Sequence, residues 1–383
     1  MVDMLLFGAK LKKYRKERRL TQGELAEQLL VSAQSVSVWE SGKGMPDLDH
    51  LCELSRVLSV SMDVLLSNRP DGGMTFIGID GGGTKTEFVL IDESGKCLNS
   101  TVMEGSNPNT SGVERAVEVL RQGIDFLRPG EMNVAGIFVG SAGLGRGNQD
   151  MVRTALQRAY PNIKIRCEND IYNVISCCSR PDNCVAVICG AGHIVYSSVR
   201  GRVSRLGGAG YRFSRGGSSY DIGRDAIAAA LDSRDGLGPE TVLVGRIEER
   251  LGGEIWEKLH ELYRNDISYI ASFAPLVLEA AEQGDPVAAE ILRQNSRRVV
   301  CLIQKAREKA AGAADCVILS GSLFARDNLF YRMVVEQLEG QVRVERMLCP
   351  PVWGACLQAA GLCETSDRPK LERFLESINA AVK

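Results

Sequence analysis

The run Gly78-Ile79-Asp80-Gly81-Gly82-Gly83-Thr84-Lys85-Thr86-Glu87 gathers residue types that bind an anion. Apolar, β-rich residues flank it (74–77 before, 88–91 after), so it reads as a β-hairpin whose turn is almost bare of side chains. Glycines let backbone N–H groups approach a phosphate closely, while Thr84 and Lys85 add a hydroxyl and a positive charge. A Walker A loop would read Gly-Lys-Ser/Thr and enter a helix; here the order is Gly-Thr-Lys-Thr and a strand follows. A plain structural turn uses the same glycines, so the downstream residues decide.

Residues 184–193 repeat the device, an apolar strand running into Gly190-Ala191-Gly192-His193, and residues 317–319 run into Ser320-Gly321-Ser322. A further apolar strand, 134–139, ends in Gly140-Ser141-Ala142-Gly143. Residues 163–168 read as a strand that delivers Asn169 and Asp170 at its carboxyl end, where ligands of α/β sheets gather.

The elements that must position these groups are legible around them. Glu104 to Asn109 is a turn before a helix carrying Val113, Val117, Leu120 and Ile124. Long helical tracts cover 221–232, 240–264 and 267–312. The segment 67–74, with Pro70, Gly72 and Gly73, reads as a linker. At the far end, Leu371, Phe374, Leu375, Ile378 and Val382 share one face of an expected amphipathic helix over 366–383.

Before the linker the chain is helical and locally basic. Residues 1–20 hold seven Lys or Arg against two acidic residues, although the whole chain has a net charge of −2. That asymmetry points to a polyanion partner for this end only. Thr21-Gln22-Gly23-Glu24 is a capping box, Ser32 caps a second helix, and Gly42 closes it. Asp47 caps a helix with Leu48, Leu51, Leu54 and Leu58 at helical spacing, and Ser61 starts a fifth helix. Residues 21–47 closely resemble the lambda-repressor/Cro-type helix-turn-helix family, a match extending over residues 1–66. The resemblance implies double-stranded DNA as partner, Gln34, Ser35 and Ser37 in the major groove, Gln22 and Lys43 on phosphates, and dimerisation. Leu30 departs from the Gly or Asn usual in such turns, and Ala33 and Val38 are apolar where Arg or Lys is common.

The remaining motifs have a family of their own. Asp80 to Thr86, Ser106-Asn107-Pro108-Asn109, Asn169-Asp170, Gly207-Gly208-Ala209-Gly210-Tyr211 with Tyr220-Asp221-Ile222-Gly223, and Leu319-Ser320-Gly321 resemble the N-acetylglucosamine kinase and BadF/BcrA-type ATPases, within the actin/Hsp70/sugar-kinase superfamily. The resemblance covers 75–365 and implies an α/β domain of two ribonuclease-H-like lobes, closing on ATP, Mg²⁺ and an amino sugar. Carried over, Gly81, Gly82, Gly83, Thr84, Lys85, Gly190 and Gly192 hold phosphates and Ser320 and Gly321 lie near the adenosine. Asn107, Ser141, Gly208 and Asp170 meet the sugar, with Asp170 as catalytic base and no metal held by the protein alone. Departures are specific. Gly190-Ala191-Gly192-His193 stands where the family reads Gly-Thr-Gly-Ser, Ala209 replaces a tryptophan, and Arg215 and Gly216 replace an acidic pair.

The expected fold is thus an all-α helix-turn-helix domain joined to an α/β two-lobed domain. Three readings remain open: a transcriptional regulator that senses an amino sugar or related ligand, an ATP-dependent amino-sugar kinase carrying a DNA-binding module, and a kinase-like fold that serves purely as a dimerisation scaffold. A hydrophobic content of 44% excludes a disordered chain. No apolar run approaches the ~18 residues that span a bilayer, and residues 4–7 are too short for a leader, so the cytoplasm is the expected location. The twelve cysteines show no Cys-x-x-Cys pair and read as small buried hydrophobes.

Overall fold

The computed structural model describes residues 2–66, 74–128, 134–145 and 147–361. The linker at 67–73 and the amphipathic stretch at 366–383 lie outside the described residues.

Five helices form the N-terminal domain: α1 (Met4–Glu17), α2 (Gln22–Gln28), α3 (Ala33–Glu40), α4 (Leu48–Leu58) and α5 (Met62–Leu66). Each expected cap is present. Thr21 and Glu24 exchange reciprocal hydrogen bonds at α2, and the Ser32 and Asp47 side chains accept backbone N–H groups of α3 and α4. Phe7, Leu11, Leu25, Val36, Trp39, Leu54 and Leu58 build one core. Leu48 is 68% exposed and takes no part in it, because it sits one residue after the cap, before the buried stripe begins.

The local basic charge is only partly a surface charge. Lys10 is buried and its Nζ donates to the Val64 carbonyl at 2.8 Å. Arg15 is buried against Glu40, and Arg18 donates through Nε to the Leu58 carbonyl at 3.1 Å. Lys10 and Arg18 thus satisfy carbonyls near helix ends. Lys12, Lys13, Lys16 and Arg19 remain exposed.

The remainder contains two five-stranded sheets. The first holds β1 (Thr75–Gly81), β2 (Lys85–Asp92), β3 (Cys97–Glu104), β4 (Val134–Ser141) and β5 (Lys164–Glu168) in the order β3-β2-β1-β4-β5. The second holds β6 (Asn183–Cys189), β7 (His193–Val199), β8 (Arg202–Leu206), β9 (Cys316–Ser320) and β10 (Arg343–Arg346) in the order β10-β9-β6-β7-β8. Both sheets are the same device: an antiparallel meander of three strands, then two strands parallel to the first.

Helices cover both sheets and tie the lobes together. Ile77, Phe88, Leu120, Ile124 and Val152 fill one side of the first sheet. On its other side lies helix Val352–Ala359, whose Trp353, Cys356 and Leu357 pack on Phe76, Val89 and Ile91. This helix follows the second sheet in sequence yet completes the first lobe. Helix Ile171–Ser176 does the reverse, setting Ile171, Val174 and Ile175 against Cys184, Ala186, Cys316 and Ile318 of the second sheet. The expected tract 240–264 is broken at Gly252, in the left-handed conformation, and 267–312 by the cap at Asp285, while Asp266 caps the start of the latter as the tract bounds require.

Candidate active site and nucleic-acid interface

The carboxyl ends of β1, β4 and β5 meet at one edge of the first lobe. Asp80 ends β1 opposite Gly140 of β4, and Asp170 follows β5. The Asn173 amide, one turn into the helix that Asp170 opens, donates to Asp80 Oδ1 at 2.6 Å and to the Gly140 carbonyl at 3.2 Å. Burial pushes the Asp80 carboxyl up to about 7; Asn173 and Lys85 oppose this, and the charges of Asp170 and Glu87 add to it. Burial also raises Asp170. Two carboxylates that repel one another in a dry cleft favour a shared cation or a proton.

Three loops are stitched around this pair. Ala142 N–H donates to the Gly81 carbonyl at 2.8 Å and Ser106 N–H to the Gly82 carbonyl at 3.1 Å. Thr86 Oγ1 donates to Ser106 Oγ at 2.9 Å, and Ser141 Oγ to the Ser106 carbonyl at 3.4 Å. Asn107 caps the short helix Pro108–Ser111 by accepting from Asn109 N–H. A Cβ on Gly143 would lie 2.0 Å from Asn107 Oδ1, so the loop after β4 reaches Asn107 only as glycine. Asn148 bonds both Asn109 and the Gly143 carbonyl. Asn107, Ser141 and Asp170, expected on the sugar side, therefore border one cluster of hydroxyls and amides. Tyr196 of β7 donates to Asn169 Oδ1 at 3.4 Å, joining the second lobe to it.

The glycines of the first turn differ in their surroundings. None of Gly81, Gly82 and Gly83 has positive φ. Gly81 is glycine for lack of room, since a Cβ would lie 2.4 Å from Ser141 Oγ. The Gly82 N–H is spent on the Lys85 carbonyl at 2.9 Å. Gly83 alone faces open space, with exposed Thr84 beside it, and Lys85 pairs with Glu87.

In the second lobe, Gly190 N–H is likewise spent, on the Gly192 carbonyl at 2.8 Å, while Gly192 is open. Gly321 has φ +99°, and a Cβ there would strike the Cys189 carbonyl at 2.2 Å, so the end of β9 (Ser320 and Gly321) is pressed onto the end of β6. Beside these turns is a cavity of about 280 Å³ lined by Ala191, Ser219, Ser268, Ser272, Pro275, Ser322 and Leu323. Its mix of small hydroxyls and apolar groups at two glycine turns suits a nucleoside. Gly208, at φ +71°, belongs to a loop whose Gly207 and Gly208 carbonyls accept from Arg205. Arg215 is exposed.

His193 opens β7 and is buried, its Nδ1 3.9 Å from Asp221 Oδ2 and without a hydrogen bond. Burial lowers its pKa, with Arg298 adding to that and Asp221 opposing it. The ring thus points into the protein.

The model of the BadF/BadG/BcrA/BcrD ATPase family matches residues 77–359, the whole of this two-lobed part. The chain belongs to that family. Over 306 residues it is 30% identical to the N-acetylmuramic acid/N-acetylglucosamine kinase of Clostridium acetobutylicum, covering 75% of this chain and 99% of that protein. A helix-turn-helix model matches 11–65. Over 61 residues the chain is 49% identical to the HTH-type transcriptional activator BcrR of Enterococcus faecalis, covering 16% of this chain and 30% of that one. A solved structure of a ROK family transcriptional regulator, a homolog of the E. coli MLC protein, shares the fold at a TM-score of 0.53 and 14% identity. It covers 98% of this chain and 99% of its own.

In this BadF-type chain the residues expected to face DNA lie on or beside α2 and α3. Gln34 and Ser37 are exposed on α3, Ser35 is half-buried with its hydroxyl 2.9 Å from Ser32 Oγ, and Lys43 is exposed just past the α3 cap. Gln22 opens α2 and donates to Glu40 at 2.7 Å, which joins it to the Arg15 ion pair. Sequence reasoning passed over Asp80, Asn173 and Asn148 as site residues. Asp80 had a signal, a lone carboxylate near a strand end at the glycine turn; the amides had none, because the Asn173 partners lie 33 and 93 residues away and the Asn148 contacts arise from loop geometry.

Proposed function

We propose that this chain is a DNA-binding transcriptional regulator whose kinase-like part senses an amino sugar or a close derivative together with a nucleotide. The observation that carries the reading is the second phosphate turn. Ala191 supplies no hydroxyl there, and His193 is buried beside Asp221 instead of facing the turn. Phosphoryl transfer depends on positioning and charge neutralisation at the phosphates, so loss of those groups weakens catalysis more than binding. The similar proteins named for transcription, BcrR by sequence and the ROK regulator by fold, support a regulatory role.

The residues present fit a nucleotide with Mg²⁺. Asp80 and Asp170 are hard oxygen donors of the kind Mg²⁺ takes, and the open turns at Gly83 and Gly192 leave room for phosphates. Bound there, Mg²⁺ would neutralise phosphate charge. That same carboxylate pair, with the likeness to a kinase over 99% of its length, favours a second reading: a working amino-sugar kinase fused to a DNA-binding module. Its Asp170 would accept the sugar hydroxyl proton.

Purified full-length protein given Mg-ATP and a panel of amino sugars, with ADP followed against time, separates the two. Saturable binding without ADP release is the expected result. Steady sugar-dependent turnover would overturn the sensor reading.

A further inference from the structure

We infer that the base of the second lobe is a metal site: Cys178, Cys316 and Glu345 take one divalent cation of the zinc class, with Cys184 beside them. The sheet register assembles the donors. Cys184 of β6 is paired with Cys316 of β9, and Glu345 of β10 with Ile318, two residues beyond Cys316. Because side chains alternate with a period of two, Cys184, Cys316 and Glu345 share one face of three adjacent strands. Cys178 joins them from just past helix Ile171–Ser176, its Sγ 3.5 Å from that of Cys316. Ligand atoms of Cys178, Cys316 and Glu345 all lie within 4.8 Å of one another. Two sulfurs on a tetrahedral zinc, each ~2.3 Å away, stand about 3.8 Å apart.

The surroundings have the character of a closed structural site. Ser179 N–H donates to Glu345 Oε2 at 2.9 Å, and the Ser179 hydroxyl and Arg343 Nε engage Oε1. Such bonds orient a ligating carboxylate while leaving lone pairs free. The Cys178, Cys184 and Cys316 side chains are buried. The donors sit at the opposite end of β6 and β9 from Cys189 and Ser320, away from the glycine turns. A cation here would tie three strands to the helix that crosses between the lobes, a structural rather than catalytic task.

The test uses the full-length chain, stripped with chelator under reductant, loaded with Zn²⁺ or Co²⁺ and desalted. One retained zinc per chain is expected, and the cobalt form should show a thiolate-to-cobalt charge-transfer band with tetrahedral d–d bands. The pair Cys178→Ser and Cys316→Ser should lose both signals, and Glu345→Gln should bind at least ~10-fold more weakly. Cys301→Ser, an exposed thiol on helix Pro286–Lys309, should behave as the parent. Circular dichroism checks that each variant folds, and the parent cobalt spectrum decides the matter where one does not. Absence of stoichiometric zinc, cobalt bands without the thiolate transition, or a Cys178–Cys316 disulfide that persists after loading would overturn the assignment.

Discussion

Asp80 carries the most consequential single charge of the cleft. Its carboxyl is held near 7 by burial, whereas an exposed aspartate ionises near 3.9. Between those values the folded chain holds a proton that the unfolded chain has lost. The contribution to stability therefore falls as pH rises through that window and is flat above it. The magnitude is on the order of 4 kcal/mol for so buried a group. Asp80→Asn should remove this pH dependence and raise stability at pH 8, as read by urea unfolding at pH 5 and pH 8 without Mg²⁺. An unchanged slope would contradict the burial argument. At the DNA end, Gln34→Ala and Ser37→Ala should each cost about 1–3 kcal/mol per lost base contact. Anisotropy on the chain's own upstream DNA measures this, with Glu27→Ala on exposed α2 as a neutral control.

At the scale of elements, the turn between α2 and α3 is the weak joint. Leu30 has φ +55° and is 93% exposed, a conformation that suits glycine. Relief of roughly 1–2 kcal/mol of strain exceeds the ~0.5–1 kcal/mol entropic cost of glycine. Leu30→Gly should thus raise the melting temperature of the N-terminal transition, a result calorimetry can deny. Elements like this turn were legible in the sequence because their signals are local: Thr21 with Glu24, Ser32, Asp47 and Gly42 each act within four residues. The strands and glycine turns were legible for the same reason. What the spacing could not show was use. Gly81 is small to fit Ser141, Lys10 is a buried cap rather than a DNA-facing charge, and Cys178 meets Cys316 across 138 positions. Such facts depend on which strands become neighbours, and no local pattern encodes that.

For the whole molecule, the proposed sensor function requires coupling between its two ends. A ligand shifts a conformational equilibrium only by binding its states unequally. If lobe closure moves two N-terminal domains of a dimer relative to half-sites ~34 Å apart, operator affinity should change 5–150-fold, about 1–3 kcal/mol. Asp170→Ala should blunt that response while leaving ligand-free DNA binding intact; titrations of operator DNA with and without saturating amino sugar and ATP decide it. The shared strand order of the two sheets has a separate consequence for how copies of the chain can meet. Among the described residues each sheet ends in two unpaired margins, and these carry Glu104 on β3, Lys164 and Arg166 on β5, Arg202 and Arg205 on β8, and Arg343 and Arg346 on β10. Charged side chains on an open margin discourage strand addition by a neighbour. Self-association of this protein is therefore expected to run through helical faces, and β-sheet polymerisation to appear only when those margins are neutralised.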